Sequence, residues 1–128
     1  LCRDWIAEDY GSHASTFSGG PVISAAAHAT VSTLVNEDVP GHAAEVGEYL
    51  REGLREELGD AAREVRGEGL MIGIEVKRGA NRILRDLALE QQLLALPAGR
   101  TVVRLLPPLT LSKAEADEAI AALGEVIG

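Results

Sequence analysis

Two places in this chain hold the side chains best suited to chemistry. The first is Gly11–Pro21, GSHASTFSGGP, where Ser12, Ser15, Thr16 and Ser18 set hydroxyls among Gly11, Gly19 and Gly20. Glycines open backbone conformations closed to other residues and let a ligand approach closely. Pro21 then starts a helical pattern in the N1 role that proline favours. A hydroxyl-rich loop running into a helix N-terminus suits an anion, because unpaired N–H groups point outward there. Loops of this composition are also often plain connections, and neither GxxxxGK[ST] nor GxGxxG spacing is present. The second place is Arg104, inside the apolar run VVRLLPPL. An arginine there is costly unless an acid or an anion pairs with it. Its planar fork can grip a carboxylate with two parallel bonds. From the residues alone, an internal salt bridge to one of the 20 Asp+Glu accounts for it equally well.

Other reactive groups offer less. Cys2 is the only cysteine, which excludes an internal disulfide and a cysteine-based zinc site. Only Arg3 stands beside it as a cation, so it reads as inert. His28 lies within a helical pattern with no histidine at i+4 and no H-E-x-x-H, so no metal is expected. The only lysines, Lys77 and Lys113, fall at a strand end and inside a capping motif.

The elements that must position these groups follow from periodicity. Residues 1–10 read as the end of an amphipathic helix, with Trp5 and Ile6 as its packed part. Pro21–Asn36 carries Val22, Ile23, Ala26, Ala27, Val31, Leu34 and Val35 at helical spacing, with alanines that allow close approach. A second helix, about 40–58, is capped by Asp38 and buries Val46, Leu50, Leu54 and Leu58. Its other faces carry Glu48–Arg51 and Glu52–Arg55 at i,i+3, a solvated pattern. Gly59–Asp60 ends it. Arg63–Gly67 is a short polar strand, and Leu70–Lys77 alternates so that Leu70, Ile72, Ile74 and Val76 share a face. Gly67 and Gly69 mark a bend or bulge between them. Arg78–Gln92 is helical, Leu93–Leu96 a short strand, and Arg100–Leu106 another that Pro107-Pro108 ends. Ser112-Lys-Ala-Glu115 is a capping box, followed by the stripe Ala116, Ile120, Leu123 and Ile127. Two helices followed by β-β-α-β-β-α give an α+β domain with a small, mostly antiparallel sheet covered by helices.

Three segments in order also carry a resemblance. HASTFSGGP, REVRGEGLMIGIEVKRG at 63–79 and PAGRTVVRLLPPL at 97–109 resemble class III (acetylornithine/ornithine-type) pyridoxal-phosphate aminotransferases. The likeness runs from about Asp9 to the C-terminus. It implies the C-terminal part of a fold-type I enzyme. Residues 1–20 would end the large cofactor-binding domain with its phosphate loop, and 21–128 would form a connecting helix and the small domain. The resemblance assigns Thr16 to the cofactor phosphate, across a homodimer interface, Ser15 to the substrate neighbourhood and Arg104 to a substrate carboxylate. His13 keeps the family's residue type and is assigned a structural role. Ala14 replaces the family's glycine, and Gly20 its asparagine, which changes the loop's shape more than its hydroxyls. The Schiff-base lysine and the aspartate at the pyridine ring are expected upstream, so the chain alone should be inactive. The implied reaction uses pyridoxal 5'-phosphate to move the terminal amino group of an ornithine- or lysine-type amino acid to 2-oxoglutarate. LLALPAGRTVVRLLPPL is closest to the branch that makes lysine or arginine on an acylated or carrier-bound intermediate, so an amino-group carrier protein is a possible partner. A non-catalytic module that binds an amino acid through Arg104 is the rival reading.

The totals agree with a single acidic globular domain. A chain of 128 residues can bury roughly two-thirds of its unfolded surface. At 46% hydrophobic and 3% aromatic, its core must be built from Leu, Val, Ile and Ala. Twelve bases against 20 acids give a net charge of −8, which disfavours nucleic acid and anionic membrane as partners. Ten of those bases are arginine, a balance that also fits a halophilic source. No apolar run reaches ~18 residues, and a cytoplasmic protein is expected. The sequence starts at Leu1 in what reads as mid-domain, so a piece of a longer polypeptide is expected.

Overall fold

The computed structural model describes residues 15–128. The expectations for Cys2, Trp5, His13 and Ala14 lie outside them. The chain divides into two compact units, one up to Glu37 and one from Asp38 to Gly128.

In the first unit, α1 (Pro21–Asn36) begins with the expected proline, and Gly20 stands at its N-cap without a side-chain bond. Its apolar spacing is helical as read, yet none of its residues is buried, and Val22 is 82% exposed. Helical period therefore gave the element and not a core.

The second unit has the core. Helix α2 (Val39–Leu58) buries Val46, Leu50, Leu54 and Leu58, one per turn, where each side chain contributes about 1.5–3 kcal/mol. Asp38 does hold the N-cap position, but its backbone is left-handed and its side chain accepts no bond. Gly59, at φ 43°, ends the helix. Arg51 pairs with Glu48 as the spacing predicts. The expected Glu52–Arg55 pair does not form. Arg55 instead reaches back to Glu48 at 3.7 Å and donates to the Val65 carbonyl at 3.2 Å, tying α2 to the sheet.

After a 3-10 turn (Gly59–Ala61), strands β1 (Ala62–Glu68) and β2 (Met71–Val76) pair antiparallel around Gly69 and Leu70. The break in register falls between Ala62 and Glu64, so the bulge is at the start of β1, and the glycine pair makes the turn. Gly69 takes φ 52°, and its backbone lies so close to Gly47 of α2 that a Cβ on Gly47 would collide with it. Helix α3 (Ala80–Glu90) follows, two residues shorter at each end than its period suggested. Then come β3 (Leu96–Pro97), β4 (Val102–Leu105) and α4 (Lys113–Ile127). Strand β3 is displaced from the expected Leu93–Leu96 and includes Pro97. A proline is tolerated there because the strand order β1-β2-β4-β3 puts β3 at an edge.

All pairings in the four-stranded sheet are antiparallel. Successive strand residues point to opposite faces, and on one face Val65, Ile72, Ile74, Val76, Val103 and Leu105 are buried in the core with residues of α2, α3 and α4. The capping box of α4 is complete: the Glu115 N–H donates to Ser112 Oγ, and the Ser112 N–H donates to Glu115 at 2.8 Å. Outside the core, Tyr49 donates to Asp117 at 2.6 Å and Lys113 to Glu45 at 2.8 Å, fastening α4 to α2.

Candidate functional site

The residues that could meet a ligand stand on the other face of the sheet. Direct partners across antiparallel strands share a face. The pairs Arg66–Gly73, Gly73–Arg104 and Arg104–Leu96 therefore form one row that crosses all four strands. Glu64, Glu75 and Val102 make the next row.

Charge on this face is satisfied on one side only. Arg66 donates to Glu64 and, at 3.3 Å, to Glu75, and the bond to Glu64 above all raises its pKa. Arg63 approaches Glu75 as well, at 3.7 Å. Arg104 forms no ion pair or hydrogen bond with any described side chain or carbonyl, and its Nε is buried without a partner. Of the two explanations open from the sequence, the internal salt bridge is absent among the described residues. A guanidinium half-buried on a strand, with donors unspent, is what a carboxylate ligand needs.

The hydroxyl loop has its own geometry. Residues 16–19 form a turn in which the Ser15 carbonyl accepts from the Ser18 N–H at 3.2 Å and from Ser18 Oγ at 2.9 Å. Ser15 Oγ accepts from the Phe17 N–H at 3.4 Å. Ser15 and Ser18 thus spend bonding capacity on the turn itself. Thr16 is exposed and its hydroxyl has no partner among the described residues. The turn leads to the uncapped start of α1, where the first N–H groups lack helical acceptors. A free hydroxyl on a turn that enters such a helix start fits a phosphate dianion.

The lysines are placed elsewhere. The Lys113 ammonium, 5.5 Å from the Tyr49 ring centre, is held by Glu45, whose hydrogen bond raises its pKa. That is the reverse of an amine tuned to react. Lys77 is exposed just beyond β2. No cluster of His, Cys, Asp and Glu among the described residues could hold a metal, and no described helix is long and apolar enough to cross a membrane.

Gly73 was not singled out by its sequence. Its signal is there all the same, since it is the small residue in the polar half of the alternating run Leu70–Val76, directly opposite Arg104 once the register is known.

The family model described as aminotransferase class-III matches residues 1–127. Ornithine aminotransferase of Staphylococcus epidermidis is 42% identical over 110 residues, covering 86% of this chain and 28% of that relative. Among solved structures, ornithine delta-aminotransferase of Plasmodium falciparum superposes with a TM-score of 0.83 at 31% identity, over 93% of this chain and 32% of the other. Lysine aminotransferase of M. tuberculosis gives 0.69 at 35% identity, over 76% and 23%. The chain therefore spans less than a third of the length of these relatives.

Proposed function

This chain belongs to the class-III aminotransferase family, and we propose that it is the C-terminal part of a pyridoxal-phosphate-dependent aminotransferase. Residues 1–20 end its large domain, and 21–128 form the connecting helix and small domain. The observation that carries the reading is Arg104, a guanidinium on the sheet face opposite the core with no acid of the described residues paired to it. It binds a carboxylate of the amino-acid or keto-acid substrate. Thr16 binds the cofactor phosphate through its hydroxyl, in a homodimer whose site is shared across the interface, and Ser15 lies beside the substrate. The cofactor, when bound, supplies the electron sink for amino transfer. This chain's residues bind and orient, and the lysine that carries the cofactor belongs to the upstream part.

The donor is an ornithine- or lysine-type amino acid and the acceptor 2-oxoglutarate, a choice supported by relatives named for ornithine and lysine. An acylated or carrier-presented donor in arginine or lysine biosynthesis is the finer proposal, in a cytoplasmic enzyme. The acidic surplus supports a high-salt setting, tested by unfolding on dialysis into low salt.

The experiment joins this chain to its upstream part and assays ornithine, lysine and their acetylated forms with 2-oxoglutarate. Thr16→Ala should weaken pyridoxal phosphate binding about tenfold, the worth of one charge-assisted bond. Unchanged cofactor affinity removes Thr16 from the site. The 128-residue chain alone should show no transfer, and a borohydride-reducible cofactor adduct at Lys77 or Lys113 would overturn that assignment.

A further inference from the structure

Among the described residues, nothing requires the residue beside Arg104 to be a glycine. Gly67, the other glycine in the described strands, takes φ 152°, and a Cβ there would collide with the Met71 carbonyl. Gly73 is different. Its φ lies outside the region that favours glycine, and a Cβ would meet only Val102 Cγ1 at 3.4 Å and the Arg66 carbonyl at 4.0 Å. Alanine fits there with at most a slight shift of Val102. A mid-strand glycine weakens a strand, and where neither turn nor packing demands it, it commonly marks close approach by a ligand.

Its neighbours say which ligand. Gly73 sits in the row between Arg66, which two carboxylates already hold, and Arg104, which none holds. The bare backbone thus lies against the one guanidinium of that row with no acid of the described residues paired to it. We infer that Gly73 is a specificity-determining position: it keeps the sheet surface low beside Arg104, so that the carbon chain of a dicarboxylate gripped by Arg104 rests over β2. This rests on the reading of Arg104 given above. The contact is one of shape, so the position selects by chain length, favouring five carbons over shorter acids.

The test uses the complete, cofactor-loaded enzyme with Gly73→Ala, Gly73→Val and Arg104→Gln. Unreactive glutarate and succinate are titrated by calorimetry, alongside KM for 2-oxoglutarate and Tm. Gly73→Val should weaken glutarate at least tenfold more than succinate and raise KM in step, with kcat within threefold and Tm unchanged. Gly73→Ala should give a smaller shift, about twofold to fivefold, and reads the proposal even if the valine variant fails to fold. Equal loss for both acids, or a fall in Tm with unchanged glutarate affinity, would mean the glycine admits another stretch of polypeptide and overturns the inference. If Arg104→Gln abolishes glutarate binding while both Gly73 variants bind normally, this inference alone fails. If Arg104→Gln binds glutarate as before, the reading of Arg104 fails first.

Discussion

The two faces of the small sheet are built from the same strands and share almost no chemistry. One face is Val, Ile and Leu, packed in the core beneath the helices to the point that Ile72, Ile74 and Val103 have no exposed area. The other carries Glu64, Arg66, Gly73, Glu75 and Arg104, with charges that cancel at β1 and β2 and stay uncancelled at β4. The packed face is closed, with its strand side chains buried against the helices. The open face is finished only where stability is concerned, and its unfinished corner is the one that suits a ligand.

That contrast breaks first under a change on the packed side. Ile74→Ala should cost about 2–5 kcal/mol in urea unfolding, from lost burial plus the cavity left behind. A loss below 1 kcal/mol would mean the core is looser than its burial implies. Arg104→Gln should leave unfolding nearly unchanged and, in the complete enzyme, weaken the keto acid by about 1.5–3 kcal/mol, the usual worth of a bond to a charged group. A large stability loss with normal KM would turn Arg104 into a structural residue.

Ser112→Ala tests a contribution of intermediate size, about 1 kcal/mol of stability for a lost N-cap. Its partner gives the pH dependence. Bonds from Ser112, the backbone one first, lower the pKa of Glu115 in the folded state. A depressed carboxylate adds stability that is fully present above its unfolded pKa and is lost as pH falls through the folded value. Unfolding midpoints followed downward from pH 6 should therefore drop less in Ser112→Ala than in the parent; parallel curves would remove the linkage. The smallest effect is Glu75→Gln, which leaves Arg66 with Glu64 alone. An exposed pair of this kind should move Tm by less than the cap does, and added salt should erase the difference.

Much of this fold is legible in the sequence alone. Period four in α2, alternation in β2 and the S-x-x-E box each state a local rule that tertiary structure had no cause to override. Val22, Val31 and Val35 show the limit of such reasoning. Their spacing specifies a helix, but whether a face is buried depends on what packs against it, and α1 has no buried residue. The Arg104 alternatives were undecidable for a related reason. Whether an acid reaches a guanidinium depends on how side chains cross between strands: Glu75 stands opposite Glu64 and Val102, diagonal to both arginines, and it is Arg66 that donates to it. Gly73 escaped notice because a glycine's meaning lies in what it faces. Asp38 failed as a cap through its own backbone, which turns left-handed before α2.

Pro97 leads somewhere else. The outermost strand on the β4 side is two residues long, and one of them has no N–H to offer a newcomer. A sheet's exposed margin is where chains recruit one another into fibrils, and short, proline-bearing margins refuse that growth. Pro97 therefore disfavours edge-to-edge pairing with a second copy at this margin of the sheet. A concentrated solution of the chain should stay free of cross-β material, and Pro97→Val should be the substitution that loses that protection.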